Sequence, residues 1–368
     1  MTGAPLSTMS GESLRALLAD CGEPAWRAEQ ILQATWQPYI EAFASMRQLP
    51  AALRDALDAR LVFSTVSAAA EREADGGNTM KLLCRLRDGL TVETVAMESP
   101  ARTAGRRRAT VCVSTQVGCA VGCPFCATGR MGLSRSCTAA EIVDQVRLAA
   151  RALHAHGLGP VTHVVYMGMG EPLANADATL ESVHVLIDAS SISPRRITIS
   201  TSGVAPGIAR LAGAAPGVTL AVSLHAATDE LRDRLVPLNR AYPLARLLAA
   251  VREHAAATRR RPTFEWCLIA GVNDSLDQAL ALRRVAYDCR AHVNVIPMNR
   301  IEGSAWGPPD AATSRAFLEA LQGIRVTVRD TRGGDVDAAC GQLRAELEAR
   351  RVLRPDGTLS APRRIAVT

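Results

Sequence analysis

No run of apolar residues in this 368-residue chain approaches the roughly 18 that a membrane span requires. The opening residues also lack the basic-then-apolar order of a secretory signal. These two absences argue against a bilayer-inserted or exported protein, and a cytoplasmic chain is expected. Internal repeats and low-complexity tracts are missing too, which removes solenoids and biased linkers from consideration. Nor is there a large excess of one charge: 42 basic against 36 acidic residues leave +6. So mild a balance permits a polyanionic partner without demonstrating one.

What the chain does have is apolar text and thiols. At 48% hydrophobic residues it can bury one large core, or a core plus a small accessory domain. Ten cysteines are many for a reducing compartment, where disulfides are seldom structural, so metal or redox chemistry is the first expectation. Basic side chains cluster at Arg106-Arg107-Arg108, Arg195-Arg196 and Arg259-Arg260-Arg261. Each is either a solvated surface or a polyanion contact.

Helical periodicity dominates residues 1–60, in ESLRALLADC, AWRAEQILQATW and AALRDALDARL, with Gly22-Glu23-Pro24 and Leu49-Pro50 as breaks. A small accessory domain is expected there. Over 61–104 the pattern changes: NTMKLLCRLRDGLTVETVAM carries Asp88-Gly89 between alternating runs and predicts a connecting β-hairpin. From 105 to 345, seven β-rich runs (TVCVS, THVVYM, RITIS, VTLAVSL, FEWCLI, VNVIP, RVTVRD) alternate with helices predicted at Ala139–Leu153, Ala176–Ala189, Pro243–Thr258, Ser275–Asp288 and Ala311–Gln322. Alternation of this kind makes parallel βαβ units, in a barrel or an open doubly wound sheet, with function at the C-terminal ends of the strands. Residues 346–368 form a loosely held tail.

The stretch VCVSTQVGCAVGCPFCATG contains Cys112, Cys119, Cys123 and Cys126. The last three, spaced C-x3-C-x2-C directly after a strand, suit a metal or cluster. Zinc would want a fourth ligand and a second paired knuckle, and neither is near. Three thiolates on a cube of four irons leave one iron open for a cofactor. The loop, with Phe125 before its third cysteine, resembles that of the radical S-adenosylmethionine (SAM) superfamily. That resemblance implies a partial (β/α)6 barrel holding a [4Fe-4S] cluster on Cys119, Cys123 and Cys126. It also implies that Gly170 and Glu171, in MGMGEP, receive the methionine part of SAM. Ser200, Ser223, Leu224, His225 and Asn299, at later strand ends, match further SAM-binding positions. Taken without the resemblance, each is an ordinary polar residue or glycine at a strand end.

Near the end of the barrel, TRGGDVDAACGQL places Cys340 between small residues, after Asp335 and Asp337. On its own such a cysteine is as readily a packed small hydrophobe as a reactive group. Together, VET, CVSTQVGCAVGCPFCATG, MGMGEP, STSG, SLHA and DAACGQL resemble the RlmN/Cfr class of radical SAM RNA methyltransferases from about Val92 to Leu343, and more loosely over the N-terminal helices. One departure is Arg332-Gly333-Gly334-Asp335, where the family usually carries two acidic residues after Arg-Gly.

The resemblance implies a division of labour among the remaining groups. An adenine ring carbon such as C2 or C8 has no lone pair with which to attack the methyl of SAM, so a different methyl donor is required. Cys340 is expected to accept a methyl from one SAM by displacement. A second SAM supplies the radical that activates that methyl for addition to the ring. Cys112 is expected to attack the Cys340 sulfur and release the product, leaving a disulfide, and Glu93 to accept the ring proton. Without the resemblance, Glu93 reads as an exposed strand carboxylate. Cys21, Cys84, Cys137, Cys267 and Cys289 read as structural.

The implied substrates are 23S ribosomal RNA and tRNA, with methylation at C2 favoured over the Cfr-type C8. A flavodoxin or ferredoxin is the implied electron donor. The N-terminal helices and arginine clusters are the expected RNA-holding surfaces, with salt-sensitive contacts. Two rivals remain open: a radical SAM enzyme with a small-molecule substrate, and a cluster- or zinc-stabilised RNA-binding protein without catalysis.

Overall fold

The computed structural model describes residues 3–99, 107–190, 192–299 and 306–329. Cys340, the glycine and acidic residues before it, the end of the 105–345 segment and the 346–368 tail therefore lie outside the described residues. Three helices open the fold: α1 (Gly11–Asp20), α2 (Arg27–Ala34) and α3 (Ala51–Arg60). Ser10 starts α1 by accepting a hydrogen bond from the Ser13 amide at 3.1 Å, which satisfies one of its free N–H groups. Leu14 and Leu18 lie one turn apart on its inner face and pack with Ile31, Phe43, Leu53 and Leu57 in a core of their own.

A meander follows, with β1 (Val66–Ala74), β2 (Thr79–Leu86) and β3 (Thr91–Ser99) paired antiparallel. The expected hairpin is β2–β3. Gly89 turns it at φ +85°, in the left-handed region that glycine enters without strain. Strand β1 had no clear sequence signal, because VSAAAEREA is small and charged and covers only one edge of the sheet.

Seven parallel strands continue the same sheet: β4 (Arg108–Cys112), β5 (Val161–Tyr166), β6 (Ile197–Thr201), β7 (Thr219–Ser223), β8 (Thr263–Leu268), β9 (His292–Pro297) and β10 (Arg325–Val328). All ten strands are ordered strictly as in the sequence. A doubly wound sheet reverses its strand order at a switch point, and this one does not. Six crossovers carry the helices α4 (Ala139–Ala155), α5 (Ala176–Ser190), α6 (Ala205–Ala214), α7 (Asp229–Leu235) with α8 (Leu244–Thr258), α9 (Leu276–Asp288) and α10 (Ala311–Ala320). The result is a (β/α)6 partial barrel with one further strand. Two of these helices, α6 and α7, had no periodic signal. APGIARLAGA holds a proline in its first turn, where it is tolerated. It also holds Gly207, whose added Cβ would lie 2.7 Å from Leu173 Cβ.

Helix α4 ties the layers together. Arg147 is buried against Asp144 at 2.8 Å and donates to the carbonyls of Thr35 and Phe63. Asp144 accepts from the amide and hydroxyl of Thr65. The accessory helices are thus pinned to the barrel through a buried pair that hydrogen-bonds to both layers. Among the described residues no helix is long and apolar enough to cross a membrane.

Candidate active site

The cysteine loop is held in shape by its own backbone. Cys119 N–H donates to the Gly132 carbonyl at 2.8 Å and Cys126 N–H to the Cys123 carbonyl at 3.1 Å. Gly118, at φ +85°, packs so closely that a Cβ there would sit 1.9 Å from the Gly132 oxygen. Cys123 is buried, and Cys119 and Cys126 are partly so. Burial pushes the Cys119 thiol up to about 11, with Glu171 and Cys126 adding to the rise. For Cys123 burial again comes first, followed by its two neighbouring cysteines. Cys119 and Cys123 are thus poor isolated thiolates, and a cationic centre beside them removes that penalty.

These cysteines form one wall of a cavity of about 290 Å³ that also takes in Gly170, Glu171, Ser200, Ser223 and His225. Glu171 is buried; its carboxylate accepts from the amides of Leu173 at 3.0 Å and Ser202 at 2.6 Å. Burial holds its pKa above the ordinary carboxylate range, and those bonds work against the rise. Ser200 and Ser223 place their hydroxyls 3.5 Å apart on neighbouring strands. His225, at φ +57°, accepts from the Cys267 amide through Nδ1 at 2.9 Å, which assigns the remaining proton to Nε2. Its ring meets Phe125 edge-on at 4.8 Å. Burial, then Arg232, lowers its pKa to about 3, so the imidazole is neutral.

Not every expected residue reaches the cavity. The Leu224 side chain is fully buried in the main core. Asn299, two residues past β9, is partly buried and lies outside the cavity wall. Cys112 and Glu93 stand just beyond the cavity wall. In the β3–β4 register Cys112 faces Val95, so Glu93, two residues along β3, points to the same side as a diagonal neighbour. Glu93 is fully buried, with Lys81 at 4.0 Å, which corrects its reading as an exposed carboxylate. Cys112 is pushed up to about 11, first by burial; Arg329 opposes the rise and Glu93 adds to it. Gln145 of α4 fixes this corner. Its oxygen accepts from the Ser114 amide and the Thr94 hydroxyl, both at 2.8 Å, and its amide donates to the Ser114 and Glu141 carbonyls.

Three further groups were not anticipated. Arg232, fully buried, donates to the carbonyls of Ser202, Ser223 and Leu224 and to Asn239 Oδ1, and so braces two of the strand ends that build the site. Glu265 lines the cavity from mid-strand, accepting from Asn294 at 3.0 Å. Arg329 lines it from just past β10. A sequence signal existed for Glu265, a charge inside the apolar strand FEWCLI. Cys267, set aside as structural, packs beside Cys126 and Phe125. A larger cavity of about 530 Å³ lies on the accessory helices between Trp26 and Tyr39, but it carries no thiol or histidine.

Among the described residues, no three His, Cys, Asp or Glu side chains converge as a single-ion site requires. A cube of irons holds its thiolates farther apart than one ion does, and three adjoining sulfurs at the cavity wall fit that demand. Residues 113–282 match the family model of the radical SAM superfamily, and residues 5–62 match the ribosomal RNA large subunit methyltransferase N-terminal domain. Over 362 residues the chain is 45% identical to a probable dual-specificity RNA methyltransferase RlmN of Parafrankia sp., covering 94% of this chain and 92% of that protein. The chain belongs to the RlmN family of radical SAM RNA methyltransferases.

Other relatives agree. The dual-specificity RNA methyltransferase RlmN of Pelobacter propionicus is 41% identical over 350 residues, covering 94% of this chain and 97% of that protein. A solved radical SAM methyltransferase from Sphaerobacter thermophilus superposes with a TM-score of 0.87 at 45% identity, over 92% of this chain and 98% of that one. Membership of the radical SAM superfamily implies a [4Fe-4S] cluster and SAM.

Proposed function

We propose that this protein methylates C2 of an adenosine in 23S ribosomal RNA and in tRNA through a methylated cysteine, Cys340, that Cys112 later resolves. The observation that carries the reading is relatedness, at 41–45% identity and spanning both the N-terminal domain and the barrel, to proteins named dual-specificity RNA methyltransferase RlmN. Cys119, Cys123 and Cys126 would hold the cluster. When bound, the cluster supplies the electron that splits SAM into methionine and a 5′-deoxyadenosyl radical.

The chain's own residues do the rest. Glu171 is a buried carboxylate at the cavity wall, suited to an ammonium group; the Ser200 and Ser223 hydroxyls suit polar groups of the nucleoside, and Gly170 lets the wall close on Gln116, where a Cβ would lie 2.5 Å from that side chain. Cys340 takes one methyl as a thiolate nucleophile, and that S-methyl carbon, after loss of a hydrogen atom, bonds to the ring carbon. Glu93 accepts the ring proton while one electron, matching the one spent on splitting SAM, leaves the adduct, and aromaticity returns. Cys112 then attacks the Cys340 sulfur as a thiolate; the bond from that sulfur to the product carbon breaks, its electron pair takes up a proton to complete the methyl group, and a Cys112–Cys340 disulfide remains. The target base must leave its stack to enter a cavity of this depth. A flavodoxin- or ferredoxin-type donor would deliver the electron.

The test is an anaerobic reaction of reconstituted protein with unmodified 23S rRNA and tRNA and methyl-labelled SAM, digested to nucleosides for mass spectrometry. Labelled 2-methyladenosine is the expected product. Labelled 8-methyladenosine would overturn the C2 assignment, and 5′-deoxyadenosine without labelled RNA would overturn the substrate.

A further inference from the structure

The arginine clusters do not border the cysteine-loop cavity; they meet at the opposite end of the barrel. Because β4–β10 are parallel, their first residues share one face. On it lie Arg107 and Arg108 at the start of β4, Arg195 and Arg196 before β6, Arg259 to Arg261 before β8, Arg290 before β9, and Arg325 opening β10. Seven strands at about 4.8 Å spacing make an arc of roughly 30 Å. Clusters far apart in sequence, at Arg107-Arg108, Arg195-Arg196 and Arg259 to Arg261, thus become one surface.

Contacts support that continuity. His163, on β5, is lowered to about 4 by burial and then by Arg108 and Arg196 from the strands on either side. Arg260 is lowered by burial and then by Arg195, and it donates to Thr219 at the head of β7 at 2.9 Å. His292, on β9, is lowered by burial; a hydrogen bond with Asn294 opposes this, and Arg261 and Arg325 add to it.

The surface also has spare charge. Arg107 pairs with Glu98 at 3.0 Å, and Asp188 and Asp288, near the ends of α5 and α9, supply further negative groups. Among the described residues Arg195, Arg196, Arg259, Arg261, Arg290 and Arg325 are exposed and have no ion-pair partner. Helix C-termini on this face attract cations. That accounts for Arg259 and Arg290, which follow α8 and α9, but not for the arginines at strand starts. All basic side chains of the chain except Lys81 are arginine, whose planar fork suits phosphate oxygens.

We propose that this face docks the phosphate backbone of a structured RNA segment remote from the target base, so that the enzyme grips its substrate at both ends of the barrel. The proposal rests on the RNA methyltransferase reading. A protein electron donor would instead have to approach the cysteine loop at the other end. Six-residue strands put about 20 Å between the two faces, so the stem-loop used as the control is kept to a few base pairs, too short to reach from the cavity to the far face.

The test compares the wild type with a triple variant, Arg196→Gln, Arg261→Gln and Arg325→Gln, none of which touches the cavity. Dissociation constants are measured against salt for a full 23S rRNA transcript and for a short stem-loop carrying the target adenosine. The log–log salt slope on the transcript is expected to become shallower by about 2–3, with affinity down at least about tenfold at low salt and the stem-loop unaffected. An unchanged slope on the transcript would overturn the proposal, as would equal losses on both RNAs. Labelling by the wild type in the same preparations separates the two readings. A wild type that methylates beside a triple variant with an unchanged slope sinks the docking face alone; a wild type that labels no RNA sinks the activity, whatever the slopes.

Discussion

Replacing Arg232 by Met tests whether the site depends on a buried residue outside the cavity wall. The substitution keeps much of the side-chain volume but removes donors from three backbone carbonyls, those of Ser202 at 2.6 Å, Leu224 at 3.2 Å and Ser223 at 3.3 Å. It also strands Asn239, which accepts from Arg232 at 2.9 Å while donating to Asp229 and Asp233. Each buried acceptor left without a donor costs about 1–3 kcal/mol, and neighbours in one network do not add fully. A net loss of about 3–5 kcal/mol follows. At roughly 2–4 °C per kcal/mol for a domain of this size, the thermal midpoint should fall by about 10 °C. Because those carbonyls belong to the strand ends carrying Ser223 and His225, SAM affinity measured by calorimetry at a temperature where the variant is folded should fall as well. Arg232→Lys, which restores a charge but only part of the fork, should recover part of the stability. A midpoint within about 2 °C of wild type, with SAM affinity intact, would refute the bracing role.

Changing Cys112 to Ala should leave Cys340 methylation intact and trap an enzyme–RNA adduct, visible as a slow band on denaturing gels; normal turnover would remove Cys112 from the resolving step. Since burial raises the Cys112 pKa to about 11, its thiolate fraction at neutral pH is small. Single-turnover release should therefore quicken about tenfold per pH unit from pH 7 to 9, and a flat profile would mean that another group supplies the nucleophile. Gly118→Ala, whose Cβ would meet the Gly132 oxygen at 1.9 Å, should abolish iron loading. Gly122→Ala, at φ +71° with open space around it, should cost only about 1–2 kcal/mol of backbone strain. Iron content after reconstitution compares the two, and equal loading would contradict the close approach.

Much of the fold was legible because its signals are local. Alternation in TVCVS, THVVYM and FEWCLI marked strands, and the 3.6-residue period marked α4, α5, α8, α9 and α10 within a few residues of their ends. Helix α6 escaped because its proline and glycines answer to a helix start and to close packing on Leu173, and β1 escaped because an edge strand needs little apolar text. In the site, the cysteine spacing and the strand-end motifs stood out because function at a barrel gathers where strands end. Arg232 and Arg329 did not, since a single charged residue carries no periodic signature and its burial depends on elements far away in sequence.

By itself, then, the sequence determined that a three-cysteine loop follows the first strand of a parallel α/β barrel, because spacing and periodicity are properties of neighbouring residues. Tertiary structure alone decided that Glu93 is buried on the same side as Cys112, that Arg232 holds the strand ends together, and that three distant arginine clusters share one face. Those facts depend on which strands lie side by side and point the same way, and only the closed register of the sheet supplies that.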